Sequence, residues 1–370
     1  MQADSRDNAV AAGLPRPDTL ALESTGGFEA VEQEWRELAT KTDNLFASWE
    51  WASTWWRHFG DDQPLHLTSC RSPDGRLIAI LPLYIWQRPL LRALRLVGHG
   101  PADELGPVCE KQHVELVGRA LHEALALRRW RCDLFLGDVL PGDEGWAARL
   151  NARALGREAS PLRRLDGETW DDYLAGMSRK TRGTNSRKEK RLQRDFELRY
   201  RLADDPERLQ EDMNTLLRLH AERWGAESTA FDDGRANFHR EFAALALERD
   251  WLRLWLLELD GRPAAAWYGF RYNGVELFYQ GGRDPNLERC NVGSVLMSHA
   301  LREAMGDGVR EFRLLRGDES YKRRLANADH GLDTVAVPCS LKGSVSITAA
   351  TVLRRSAPVR KWLVNRAQPG

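Results

Sequence analysis

The stretch WLRLWLLELDGRPAAAWYGFRYNGVELFY, residues 251–279, decides the fold. Leu252–Leu259 reads as a strand, Asp260-Gly261 as a tight hairpin turn, Ala264–Tyr272 as a second strand, Asn273-Gly274 as another such turn and Val275–Tyr279 as a third strand. Asp-Gly and Asn-Gly are the pairs that tolerate the positive φ angles a two-residue hairpin demands, so two of them in fifteen residues predict an antiparallel meander. Downstream, the loop Gln280–Asn291 leads into a helix over Gly293–Met305, closed by Gly306 and Gly308. A strand Val309–Leu315, a turn Gly317–Glu319, a short helix Tyr321–Ala326 and a last strand Val335–Pro338 follow. Strands and helices do not alternate strictly, which argues against a doubly wound parallel sheet and predicts an α/β (α+β) fold with a mostly antiparallel mixed sheet flanked by helices.

Upstream, two helices are expected near Pro206–Trp224 and Arg235–Asp250, preceded by a strand Phe196–Leu202. Before that strand, Arg179 to Arg194 holds eight lysines and arginines against one acid, Glu189, in a helix expected to start after the cap Thr169. The first half is also mixed. Helices are expected at Phe28–Ala39 and Glu50–Phe59, the latter with an aromatic stripe of Trp51, Trp55, Trp56 and Phe59 that reads as core. A hairpin, Leu65–Ser69 with Leu77–Ile85, turns at Ser72-Pro73-Asp74-Gly75. Leu94–Val97, a Gly- and Pro-rich loop, a helix Val114–Arg129, a short strand Cys132–Leu136 and a helix Gly145–Ala154 complete it.

A chain of 370 residues predicts two domains. The expected divisions are a leader at 1–20, a first domain at 21–165, a second at 166–340 and a basic tail at 341–370. An apolar fraction of 42% with 14 tryptophans excludes an intrinsically disordered chain. No window approaches 18 consecutive apolar residues, so no membrane span is expected. Five scattered cysteines without a C-x-x-C pair argue for a reducing, cytoplasmic setting and against a disulfide framework or structural zinc. The histidines show no metal-binding spacing, and neither a nucleophile elbow nor a phosphate-binding Walker loop is present. Lysine plus arginine equals aspartate plus glutamate at 54 each, so no global pull towards DNA exists.

Candidate chemistry gathers after the meander. Tyr279-Gln280-Gly281-Gly282-Arg283 ends a strand, and the chain passes Arg289 and Asn291 to open a helix at Gly293-Ser294. Free amides and the positive end of a helix make an anion site, to which Arg283 and Arg289 can add charge-assisted bonds.

A meander, a loop and a Gly-opened helix followed by a strand resemble the core of GNAT acyltransferases. The wider string is similar to the CelD-like acetyltransferases of that superfamily, often filed under cellulose biosynthesis. It runs Arg179-Lys180-Thr181-Arg182, then Leu219-His220-Ala221-Glu222-Arg223-Trp224, then Tyr279-Gln280-Gly281-Gly282, then Arg316-Gly317-Asp318-Glu319-Ser320-Tyr321-Lys322. Thr54-Trp55-Trp56-Arg57-His58-Phe59-Gly60 is similar to the first half of the same family. The resemblance covers roughly residues 28–340 and implies tandem GNAT-like domains, the first degenerate. It implies acetyl-CoA or another acyl-CoA as co-substrate, with pyrophosphate on the amides of the Gln280–Ser294 junction. The usual pattern places small residues where Val292 and Ser294 stand here, with Gly293 between. The architecture also resembles the Fem peptidoglycan ligases, which use aminoacyl-tRNA.

In a GNAT reaction an amine attacks a thioester, which requires a base, an oxyanion site and a donor to the leaving thiolate. Asp318 and Glu319, at the end of a strand that would splay from its neighbour, can act as base or bind a cationic acceptor. Tyr279 or Tyr321 can donate to sulfur, Lys322 can bind an anionic part of either substrate, and the amides around Gln280 to Gly282 can hold the carbonyl oxygen. Arg182, His220, Trp224 and Arg316 are the candidates for holding the acceptor, an amine or hydroxyl of a sugar-containing or other polar metabolite of envelope polysaccharide metabolism. Aminoacyl transfer to a cell-wall precursor, with tRNA on the basic helix, and a non-catalytic role in a polysaccharide assembly are the alternatives.

Overall fold

The computed structural model describes residues 20–177, 179–225, 228 and 230–354. Most of the expected leader and the end of the basic tail therefore lie outside the described residues.

Strands in chain order are β1 (Ala21–Ser24), β2 (Leu65–Arg71), β3 (Leu77–Arg88), β4 (Leu91–Leu96), β5 (Val108–Cys109), β6 (Leu134–Pro141), β7 (Arg153–Glu158) and β8 (Pro161–Arg164). They continue with β9 (Leu198–Leu202), β10 (Leu252–Leu259), β11 (Arg262–Tyr272), β12 (Val275–Arg283), β13 (Glu311–Arg313), β14 (Ala328–Asp329) and β15 (Leu332–Pro338). The helices are α1 (Glu32–Ala39), α2 (Trp49–Phe59), α3 (Val114–Ala126), α4 (Trp146–Arg149), α5 (Trp170–Gly176), α6 (Arg179–Asp195), α7 (Leu209–Trp224), α8 (Asp233–Glu248), α9 (Val292–Gly306), α10 (Ser320–Leu325) and α11 (Leu341–Arg354).

One sheet runs β1-β2-β3-β4-β6-β15-β7 with β5 on β3, the other β14-β8-β13-β12-β11-β10-β9. Both follow one plan. A meander (β2-β3-β4 or β10-β11-β12) crosses over through a helix (α3 or α9) into a parallel strand (β6 or β13), and all other neighbours pair antiparallel. This is a tandem GNAT-like architecture of two mostly antiparallel mixed sheets flanked by helices. The two hairpin turns behave as their sequence demands, since Asp260, Gly261, Asn273 and Gly274 all take positive φ between 47° and 75°.

The sheets exchange end strands. β15, expected beside the last strands of the second half, inserts between β6 and β7 of the first sheet. β8, encoded before residue 166, pairs with β13 in the second. The helix expected over Gly145–Ala154 is a single turn, α4, followed by the strand β7. β7 lies at a sheet edge with mostly exposed polar residues, so it has no apolar alternation to read.

The aromatic stripe of α2 is core, and that core joins the two halves. Trp51 is fully buried edge-on to Phe238 and Phe242 of α8, with ring centroids 4.9 and 4.7 Å apart. Polar contacts reinforce the seam. The Asn273 amide donates to the carbonyls of Ala39, Thr40 and Thr42, and buried Arg313 pairs with Asp43 at 3.1 Å. The halves are thus held as one body, with the cleft between them. Among the described residues no helix is long and apolar enough to cross a membrane.

Candidate active site

The site begins with a strand that leaves its neighbour. β12 pairs with β13 only over Val275–Leu277, and from Phe278 onward its strand pairing is with β11 alone. Tyr268 faces Gln280 and Gly269 faces Phe278, so Tyr279 is an extra residue, a β-bulge at the point of divergence. Two glycines permit this path. A Cβ on Gly269 would fall 2.1 Å from the Leu277 carbonyl oxygen, and one on Gly282 would fall 2.4 Å from the His220 nitrogen. Helix α7 therefore lies directly on the diverging strand. His220 secures it: its Nδ1 donates to the Gly281 carbonyl at 3.3 Å while its Nε2 accepts from the Ser228 hydroxyl at 2.8 Å.

A cleft of about 570 Å³ opens there, lined by both halves. The second half contributes Arg223, Trp224, Tyr279, Gln280, Gly281, Arg316, Glu319, Tyr321 and Lys322. The first half contributes Arg95, His99, Asp103, Asp138 and Glu158. Most charges are matched: Arg95 with Asp138 at 2.5 Å, Arg316 with Glu158 at 2.6 Å and buried Lys322 with Glu319 at 3.2 Å. Asp103 is different. Burial pushes its carboxyl up to about 6, although Arg316 and Lys322 and the Arg316 backbone act in the opposite sense. A carboxylate poised there takes up a proton close to neutral pH.

Tyr279 donates its hydroxyl to the Pro101 carbonyl at 2.7 Å and so accepts from His239 Nε2 at 3.2 Å. The Nδ1 of that imidazole then accepts from Tyr268 at 3.4 Å, and burial holds His239 neutral, pulled down to about 3. Burial also raises both Tyr279 and Tyr321 far above the ordinary phenol, so each keeps its proton. Lys322 additionally donates to the Arg316 carbonyl, which fixes the turn before α10.

Of the residues expected at the site, Tyr279, Gln280, Gly281, Trp224, Arg316, Glu319, Tyr321 and Lys322 line the cleft. Asp318 does not, because it is exposed and paired with Arg323 on the outer side of the turn. His220 and Gly282 act behind the strand through backbone packing. Arg283 pairs with Glu288 at 3.1 Å, and exposed Arg289 engages Asn291 through its carbonyl. The side chain of Arg182 lies outside the described residues.

The start of α9 forms a second, adjoining feature. Asn291 adopts a left-handed φ of 58° and turns the chain into the helix, so the amides of Ser294 and Val295 close on its carbonyl while those of Val292 and Gly293 precede any helical partner. Val292 buries its side chain in the core, and a Cβ on Gly293 would meet only Arg283, at 3.7 Å. Basic helix α6 lies alongside, with Lys188 Nζ 3.5 Å from the Ser294 hydroxyl. The one acid of that basic run anchors it: Glu189 accepts from Tyr200 at 2.8 Å and faces Arg302 at 3.5 Å, while Leu192 is buried. Burial and nearby Arg324 lower the Lys188 pKa. Free amides, an open Gly293 and a half-buried lysine suit a diphosphate.

Sequence reading missed every first-half residue of the cleft. Its one available signal was the Gly- and Pro-rich loop after β4, which carries His99 and Asp103.

Residues 179–323 match the family described as the acetyltransferase (GNAT) domain. Among solved structures, FemX superposes with a TM-score of 0.62 at 11% identity, covering 86% of this chain and 98% of that one. L-PGS from Bacillus licheniformis superposes at 0.55 with 12% identity, covering 89% and 96%. A C-terminal domain named for a lysylphosphatidylglycerol synthetase of Agrobacterium fabrum superposes at 0.55 with 12% identity, covering 88% and 97%. No curated protein matches in sequence. Residues 179–323 thus carry the match to the acetyltransferase (GNAT) domain, within a fold shared with FemX and L-PGS.

Proposed function

We propose that this protein transfers an acyl group, acetyl in the simplest case, from acyl-CoA to an amine of a polar acceptor held between the two halves. The observation that carries this reading is the opening of β12 at Tyr279 onto a cleft where Asp103 sits with a carboxyl raised to about 6. Bound acyl-CoA supplies an activated thioester, with its pyrophosphate on the Val292–Ser294 turn beside Lys188 and Arg283. The bulged backbone around Tyr279 and Gln280 faces the carbonyl oxygen. Asp103 takes the proton of the attacking amine. Tyr321, which keeps its proton, donates towards the leaving sulfur. Arg223, stacked 4.4 Å over Trp224, and Arg316 hold the acceptor. A sugar-bearing acceptor of envelope polysaccharide metabolism follows from the CelD-like resemblance.

Thiol release from acetyl-CoA across a panel of amino sugars and free amino acids tests this. The expected result is acceptor-dependent release that rises with pH through about 6. Absence of both turnover and acetyl-CoA binding would overturn it.

One observation favours a second reading, Fem-like aminoacyl transfer. Helix α6 has eight lysines and arginines in its sequence, more than a pyrophosphate needs, and sets Lys188 beside the α9 start. Retention of aminoacyl-tRNA at low salt, lost at high salt, would select it.

A further inference from the structure

Helix α11 is apolar on two opposite faces. Its inner face lies on the first sheet, where Gly343 and Ile347 are buried and a Cβ on Gly343 would fall 1.9 Å from the Asp133 carbonyl oxygen. Its outer face presents Leu341, Val345, Ala349 and Val352, spaced to form one stripe. Leu341 is 86% exposed, Val345 69% and Val352 62%. A helix packed on a sheet ordinarily turns polar side chains outward, so this stripe lacks its partner.

Charge identifies that partner. The chain as a whole is neutral, yet residues 341–370 hold six basic residues and no acid. Lys342 flanks the stripe, and the basic residues after it are interspersed with Val359, Trp362, Leu363 and Val364. Nucleic acid would match the charge but leave the apolar stripe wet. A second copy would cover the stripe but bring two basic segments together. A bilayer surface with anionic headgroups satisfies both features, because apolar side chains enter the acyl boundary while lysine and arginine meet phosphate. We propose that the outer face of α11 docks this protein on anionic phospholipid membranes.

Sedimentation of the full chain with vesicles of equal parts phosphatidylglycerol and phosphatidylcholine tests the proposal, with phosphatidylcholine vesicles as reference. Binding to the anionic vesicles only, weakened by salt, is expected. The triple variant Leu341→Asp, Val345→Asp, Val352→Asp should bind at least about tenfold less, with an unchanged melting temperature because these side chains are exposed. No sedimentation, equal binding to both vesicles, or equal binding by the triple variant would overturn it. So would a dimer that the triple variant dissolves without any vesicle binding.

Discussion

The two sheets share one plan and meet the cleft with different chemistry. In the second, the strands diverge after the parallel pair, leaving a bulge and an open helix start, so its contribution to the donor side is largely backbone. In the first, the equivalent gap between β4 and β6 is filled by the loop at 98–107, whose Leu105 amide donates to the Val139 carbonyl at 3.0 Å. That loop closes the first sheet's own site and carries Asp103 into its neighbour's. A repeated fold thus diverges in use: the second copy keeps the open strand and helix start, and the first closes its own gap and lends Asp103 to the shared cleft.

The sharpest way to break this comparison is Asp103→Asn. Turnover should fall by about 10²–10⁴. The wild-type kcat/KM should drop as pH falls through about 6, because the proposed base is then protonated, and that limb should vanish in the variant. A pH–rate profile with an amine acceptor checks both.

Next in size is a test of the backbone side. Gly282→Ala would set a methyl 2.4 Å from the His220 nitrogen and 2.5 Å from the Leu219 carbonyl carbon, so β12 or α7 must shift. A loss of about 1–3 kcal/mol of stability is expected in thermal unfolding. The same substitution at Gly75, which has open space around it, would cost only the strain of its positive φ of 86°.

The seam between the copies gives a pH-dependent effect. His239 is neutral when folded, with a pKa pulled down to about 3 from an ordinary 6.5. Its contribution is complete above 6.5 and is lost as pH falls towards 3, since the unfolded imidazole then binds a proton that the folded one refuses. His239→Gln should flatten stability against pH in that window by at most about 1.4 kcal/mol per unit. Smallest is Asn273→Ala, which removes the donor to three first-half carbonyls and should cost about 1 kcal/mol by urea unfolding.

The second sheet was legible because its signals are local. Asp260-Gly261 and Asn273-Gly274 announce their turns, and the Gly-opened α9 announces its start. What was hidden depends on distant pairing. Nothing in Leu332–Pro338 tells it to cross into the first sheet, and β8 is four residues long. Asp103 looks like any loop acid until folding sets it beside Arg316 and Lys322. Conversely, Asp318 was attractive by position in the string, but the turn at Gly317, with a φ of 123°, precedes an acid that faces outward to Arg323. The choice between Asp318 and Glu319 was a matter of side-chain direction, which spacing does not encode.

This divergence in use is tested most directly by titrating acetyl-CoA calorimetrically into the wild type, Lys188→Glu and Asp103→Asn. The wild type and Asp103→Asn should bind alike, while Lys188→Glu, which puts a negative charge beside the α9 start, should bind at least about tenfold more weakly. If the wild type does not bind, or if Asp103→Asn weakens binding as much as Lys188→Glu, the donor does not rest on the second copy alone and the account fails.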